Sequence, residues 1–224
     1  MFARIAPGYD LGNRLMTFGQ DQGWRVRAAR VALDGAPAAP RVLDLATGTG
    51  DLALALAQVN PQARTVGLDL TYEMLAGAAG KLERADHHRA IQLLNGDTLD
   101  LPFPTGAFDA ITSAFMLRNL VDLERGLKEM VRVTRPGGRI VALEITRPHL
   151  PLWRELFRLY FYQIAPLLGA AATGDFEAYH YLPNSLTYFL SADELAAVMT
   201  RAGVKNVQYV LLNLGTVAIH YGII

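Results

Sequence analysis

The sequence contains no cysteine. That excludes disulfides, thiolate nucleophiles and cysteine-held metals, and it fits a reducing compartment. Net charge is also missing, with 21 basic residues against 21 acidic ones. With no basic run either, nothing in the chain would attract nucleic acid over distance. No apolar stretch reaches the roughly 18–20 residues needed to cross a bilayer. The longest apolar-rich region, residues 150–172, is broken by Arg154, Glu155, Arg158 and Gln163. Residues 1–10 lack the basic start and apolar run of a signal peptide. The expectation is a cytoplasmic protein, with peripheral contact at the inner membrane face left open. What is present is apolar: 51% of the 224 residues are hydrophobic, ample for a sizeable core. The mean hydropathy of +0.18 is high for a freely soluble protein and points to an apolar pocket or surface.

Residues 41–145 alternate short apolar runs with amphipathic stretches, the pattern of βαβ units and a parallel sheet. Strands are expected at 41–45, 64–68, 90–94, 108–114 and 139–145. Helices are expected at 51–58, at 72–84 with Thr71 able to cap it, and at 120–134, where Pro136-Gly137-Gly138 stops the last. Residues 192–202 read as a further helix. Strands 205–212 and 216–223 follow, joined by only three residues. A pair so closely linked must be antiparallel, because a parallel pair needs a crossover of about a dozen residues. The fold class is therefore α/β, a doubly wound, mostly parallel seven-stranded sheet with an antiparallel last strand. One domain is expected over 1–224. Residues 1–35 form a helical cap, 146–190 an insert over the substrate side, and 191–224 the closing helix and hairpin.

The first strand runs into Asp44-Leu45-Ala46-Thr47-Gly48-Thr49-Gly50. Glycines between a strand and a helix let backbone approach a ligand, and the helix N-terminus offers free N–H groups. Two cofactors compete for this turn. Gly48-x-Gly50-x-x-Ala53, with Asp69 about 20 residues on, fits the loose dinucleotide fingerprint of an NAD-dependent oxidoreductase. Acids tilt the choice the other way. Asp44 inside the strand end would face a pyrophosphate badly but can organise the loop around an amino-acid moiety. Asp69 can accept both ribose hydroxyls, and Asp97 after the third strand can accept from an adenine amino group. Such convergence suits S-adenosylmethionine, which carries no phosphate. The bland reading is that Asp44 and Asp97 only cap loops.

Val42-Leu43-Asp44-Leu45-Ala46-Thr47-Gly48-Thr49-Gly50-Asp51, Gly67-Leu68-Asp69, Gly96-Asp97, Leu101-Pro102-Phe103, Phe108-Asp109 and Arg135-Pro136-Gly137-Gly138 resemble the class I S-adenosylmethionine-dependent methyltransferases. A narrower resemblance runs over nearly the whole chain. Arg4-Ile5-Ala6-Pro7-x-Tyr9-Asp10, Asn13, Gly19, Trp24-Arg25, Phe115-x-Leu117-Arg118-Asn119 and Tyr181-Leu182-Pro183-x-Ser185 are similar to the ubiquinone/menaquinone-biosynthesis C-methyltransferases. Four positions depart from the usual pattern: Thr47 for Cys or Gly, Asn184 for Glu, Gly12 for a larger apolar residue, and Met116 for Gly. Met116 is expected directly beside the substrate.

The resemblance implies S-adenosylmethionine as cofactor and no metal. The cofactor residues would be Asp44, Thr47, Gly48, Thr49, Gly50, Asp69, Leu70, Asp97, Thr98, Ser113 and Ala114, with Tyr9 and Arg25 closing over them. It implies methylation of a ring carbon in a prenylated quinol; the lack of an N-terminal transit extension favours demethylmenaquinol. O- or N-methylation of another apolar small molecule is the runner-up. Such chemistry needs alignment, a proton acceptor and stabilisation of a phenolate. Arg118 is always cationic and so a poor base; it could hold the phenolate or orient a water, or serve only as an ion-pair partner. Asn119 could fix the ring hydroxyl. His180 is a candidate base or a packing histidine. Trp153, Leu156, Phe157, Tyr160, Phe161, Ile164 and Leu168 recur at helical spacing, as core packing or as a groove for a prenyl tail that touches the bilayer. A homodimer is compatible with the sequence, and no nucleic-acid partner is expected.

Overall fold

The computed structural model describes residues 2–85, 90–148, 151–173 and 190–224. Seven strands form one sheet: β1 (Arg41–Leu45), β2 (Arg64–Asp69), β3 (Ile91–Asn95), β4 (Phe108–Ala114), β5 (Thr134–Ile145), β6 (Lys205–Leu212) and β7 (Val217–Ile223). Their order is β3-β2-β1-β4-β5-β7-β6. The first five run parallel, and β7 is antiparallel to both β5 and β6, as the short β6–β7 link demands. Helices α4 (Asp51–Val59), α5 (Tyr72–Arg84), α6 (Leu123–Val133) and α9 (Ala192–Arg201) cover the faces. The chain order reverses between β1 and β4, which opens a crevice at their C-terminal ends.

Period-two alternation splits the strands between two cores. On one face Leu43, Leu45, Leu68, Ile111 and Ile140 pack with Leu127 and Met130 of α6 and Leu195 and Met199 of α9. On the other, Val42, Val141, Leu143 and Ile219 meet Leu52 and Leu56 of α4 and the N-terminal helix α3 (Gln20–Leu33). Ala28, Ala29 and Ala32 let α3 lie close to the sheet. Ahead of α3 come α1 (Phe2–Ile5), a 3₁₀ turn over Ala6–Gly8 with Pro7 at its start, and α2 (Tyr9–Thr17). The insert supplies α7 (Pro151–Leu159), a π-turn over Tyr160–Ile164, and α8 (Ala165–Thr173), which packs on α2.

Three local expectations change. Helix α6 begins at Leu123 rather than 120, because Asp122 caps it by accepting from the Arg125 amide at 2.9 Å. The residues before it wind as a 3₁₀ turn, Leu117–Asn119. Strand β5 begins at Thr134, paired with Phe108; Arg135 to Gly138 bulge out before pairing resumes at Ala110 and Arg139. Pro-Gly-Gly therefore interrupts a ladder instead of separating helix from strand. Thr71 does sit at the N-cap of α5 but makes no cap bond with its side chain. Its amide donates to Asp69 Oδ1 at 2.8 Å and its hydroxyl also bonds that carboxylate. His180 and the Tyr181–Ser185 motif lie outside the described residues.

Candidate active site

The glycine turn is built by its acids. Asp44 is buried at the end of β1 and accepts from Thr47 Oγ1 at 2.6 Å and from Thr112 Oγ1 at 2.8 Å. Burial pushes its carboxyl up to about 6, against those two hydrogen bonds and the pull of Arg25. Asp69 holds the turn from the neighbouring strand, accepting the Gly48 amide at 2.8 Å. Burial raises its carboxyl too, opposed by the amides of Thr71 and Gly48. Gly48 and Gly50 both take the left-handed backbone (φ 58° and 86°) that side chains disfavour. At Gly67 a Cβ would stand 2.9 Å from Thr47 Oγ1, so β2 passes the turn closer than any other residue would allow. The result is a narrow cleft of about 30 Å³ bordered by Tyr9, Arg25, Asp44, Thr47, Gly48, Thr49 and Ala114, with Ala46, Asp51 and Leu52.

Tyr9 and Arg25 also border a second, larger space, a chamber of about 520 Å³ under α2, α3 and the insert. Its walls are mostly apolar: Ile145, Trp153, Leu156, Phe157, Tyr160, Phe161 and Val217. Arg118 and Asn119 enter it from the end of β4. Their placement depends on Phe115, a non-glycine residue at φ 60° whose amide bonds the Leu143 carbonyl at 2.8 Å. Such a conformation persists only when its surroundings over-determine it. Here the Phe115 ring lies beneath two guanidiniums, Arg25 and Arg118, each 5.5 Å from its centroid. Arg25 is pinned in turn by buried Asp21 at 2.5 Å.

Behind Arg118 lies Glu144 of β5, fully buried. It accepts from the Leu117 amide at 2.6 Å and from Arg118 Nη1 at 3.0 Å. Burial raises its carboxyl and the Arg118 cation opposes that rise. Arg118 Nε is buried and has no hydrogen-bond partner among the described residues. Asn119 Nδ2 donates to the Phe115 carbonyl at 3.1 Å.

The structure thus gathers Tyr9, Arg25, Asp44, Thr47, Gly48, Thr49 and Ala114 around one cleft, with Gly50 ending its turn and Asp69 bonded to it. Others stand apart. Leu70 is 70% exposed, and exposed Asp97 accepts the Leu99 amide at 2.9 Å. The Asp69 and Leu70 carbonyls are tied to β3 by Asn95 Nδ2. Thr98 is buried and turns its hydroxyl to Met116 Sδ, 3.6 Å away. Ser113 is buried in β4 and borders neither space. Met116 is a correction: it packs in the core beneath the sheet and does not line the chamber. The left-handed turn at Phe115 puts that aromatic ring in the chamber wall instead. Within the insert stripe, Ile164 is 45% exposed and outside the chamber. Glu144, Phe115, Lys81 and Asp10 were missed. Asp10 and Phe115 fall in recognisable motifs, where neither was given a role; Glu144 looks in sequence like any charged residue of a strand.

A model of the ubiE/COQ5 methyltransferase family matches residues 1–224. The chain is 48% identical over 222 residues to a demethylmenaquinone methyltransferase of Thermus thermophilus, covering 99% of both chains. It is 40% identical to a ubiquinone/menaquinone biosynthesis C-methyltransferase of Geotalea daltonii, covering 99% of this chain and 94% of that one. Among solved structures, a SAM-dependent methyltransferase of Thermotoga maritima, described as a possible histamine N-methyltransferase, superposes with a TM-score of 0.67. It is 18% identical, with 99% of this chain and 97% of that one covered; likeness at that identity speaks for the fold.

Proposed function

The chain belongs to the ubiE/COQ5 methyltransferase family and is an S-adenosylmethionine-dependent methyltransferase, and we propose that it methylates a ring carbon of a prenylated quinol, with demethylmenaquinol as the acceptor. The residues present fit the cofactor. A buried carboxylate at the strand end, Asp44, favours a cation and would repel the pyrophosphate of a dinucleotide. The two Asp69 oxygens each accept one amide and retain capacity for hydroxyl donors. When bound, S-adenosylmethionine supplies a methyl group on a sulfonium, electrophilic enough to be taken by a carbon nucleophile.

Activating that nucleophile falls to the chain's own residues. A neutral ring carbon gains charge when the adjacent hydroxyl loses its proton. The unpartnered Nε of Arg118, buried at the wall of an apolar chamber, is the observation that carries this reading: it can donate to a phenolate oxygen where little water competes. Asn119 fixes the hydroxyl, and Tyr9 and Arg25 border both spaces, where donor and acceptor would meet. His180 remains the candidate to take the proton. The acceptor is tested with purified enzyme, labelled S-adenosylmethionine and two prenylated quinols, a demethylmenaquinol and a benzoquinol. The expected kcat/KM favours the naphthoquinol about tenfold or more. Label on the benzoquinol ring alone would overturn the assignment.

The exposed stripes beside the chamber support contact with a bilayer. Leu11 and Leu15 project from α2 with Phe18 at its C-cap, and Leu152, Leu156 and Leu159 project from α7 at i, i+4, i+7; each of these residues is 40% or more exposed. Arg154 and Arg158 flank the second stripe, half or more exposed. No helix among the described residues is long and apolar enough to cross a membrane, so the contact would be interfacial. Cosedimentation with anionic liposomes should be strong for the parent and fall about tenfold for a Phe18→Ser/Leu152→Ser variant. Absence of sedimentation for the parent removes the membrane from the proposal.

A further inference from the structure

Lys81 belongs to none of the motifs that marked the site, yet it touches three segments that build it. On α5, Gly77, Ala78 and Lys81 share a face, at spacings of four and three residues. That face presses on the glycine turn. A Cβ at Gly50 would stand 3.4 Å from Ala78 Cβ, and one at Gly77 would stand 3.6 Å from Thr49 Cγ2. One turn further on, Lys81 Nζ lies 2.5 Å from Asp10 Oδ2 on α2, 2.6 Å from Asp51 Oδ1 at the start of α4, and 3.1 Å from Thr49 Oγ1 in the turn. The Thr49 hydroxyl donates onward to Asp10 Oδ1 at 2.5 Å. Gln22 of α3 donates to the other oxygen of Asp51 at 3.2 Å.

An ammonium has three donors, and here each meets a different element. The Lys81, Asp10 and Asp51 side chains are 18%, 29% and 11% exposed, so solvent screens this cluster less than it screens a surface pair. The Lys81 cation holds the Asp51 carboxyl below its usual range against the opposing effect of burial. Asp10 directly follows Tyr9, which borders both the cleft and the chamber. At about 30 Å³ the cleft beneath Tyr9 is far below the size of a ligand pocket. Passage at that end requires the Tyr9–Asp10 segment to lift.

We infer that Lys81 is a positioning residue that clamps the N-terminal segment onto the cofactor turn, so that this clamp sets how long the cofactor is retained. Removing the ammonium leaves Asp10 and Asp51 facing each other across the turn as like charges, which favours the lifted state. The tests need only the cofactor side and are independent of which acceptor is methylated. In Lys81→Met, dissociation of S-adenosylhomocysteine in stopped flow should speed up about tenfold, and KM for S-adenosylmethionine should rise by a similar factor, more than kcat changes. Trypsin should cut faster after Arg14 on α2. Lys81→Arg should recover most of both effects, which a purely structural defect would not do. Asp10→Asn keeps the Thr49 hydrogen bond and removes one charge. It should shift dissociation in the same direction by a smaller factor, and its effect should largely vanish in the Lys81→Met background. Dissociation and KM within about twofold of the parent in both single variants would overturn the inference. Should Lys81→Met fail to fold, Asp10→Asn alone decides by the same criterion.

Discussion

Affinity for S-adenosylhomocysteine and S-adenosylmethionine should rise about tenfold between pH 5 and pH 7 and then level off. The cause is Asp44. Its carboxyl titrates near 6 in the folded protein, so near pH 5 only about a tenth of the molecules carry the anion. Both ligands bring a cationic amino group, and the methyl donor adds a sulfonium; each favours the ionised form and lowers the carboxyl on binding. Isothermal calorimetry from pH 5 to 8 reads the slope directly. Asp44→Asn should bind about a hundredfold more weakly at pH 7 and lose the pH dependence. Stability should move the other way. A carboxyl raised on folding favours the native state below its unfolded value of 3.8. That advantage disappears as pH rises through about 6. At pH 8 the ionised Asp44 of the ligand-free protein costs on the order of 3 kcal/mol. Asp44→Asn should therefore melt higher than the parent at pH 8 and lose that margin near pH 4. A flat affinity profile in the parent would show that Asp44 is not the group the cofactor meets.

The framework of this site was legible because short-range rules decide it. Period-two burial, βαβ alternation and a three-residue link between the last two strands fixed the sheet and the crevice at the ends of β1 and β4. The turn acids were legible for the same reason: Asp44 and Asp69 sit where two successive strands must end. What did not read out depends on contacts distant in sequence. Glu144 follows a run of buried β5 residues, and nothing local tells that its carboxylate will face Arg118, 26 residues earlier. Lys81 sits on a helix where a lysine is ordinarily a solvated face, yet its partners come from α2 and α4. Met116 misled because the backbone at Phe115 turns left-handed, which sends the next side chain into the core. Thr71 is a good cap by type, but its amide and hydroxyl found a carboxylate two residues back. The boundary errors at α6 and β5 share a cause: Asp122 and the Pro-Gly-Gly bulge each offer the backbone a local alternative that periodicity does not register.

Arg118→Met should lower kcat by about 10²–10³ while leaving S-adenosylhomocysteine affinity within about twofold. A positioned cation at a developing phenolate acts only as charge appears on the acceptor oxygen, so its removal shows in turnover rather than in cofactor binding. The variant has a second cost that could be mistaken for the first. Glu144 would be left fully buried with the backbone amides of Leu117 and Met116 but no cation, and breaking such a pair typically costs about 3–5 kcal/mol. Its carboxyl would rise further with the cation gone, and Tm should fall by about 10 °C. The double variant Arg118→Met/Glu144→Gln separates the two effects. A neutral amide in place of the buried carboxylate removes the stranded charge and still accepts the Leu117 amide, so most of the lost Tm should return. Turnover should not return, because no cation then stands where Arg118 Nε did; Arg25, which also borders the chamber, is held by Asp21. Arg118→Lys should recover stability better than rate: a single ammonium can pair with Glu144, but it lacks the guanidinium fork that bonds Glu144 through Nη1 and keeps Nε for the substrate. A double variant that melts like the parent and turns over within about threefold of it would reduce Arg118 to a structural ion-pair partner.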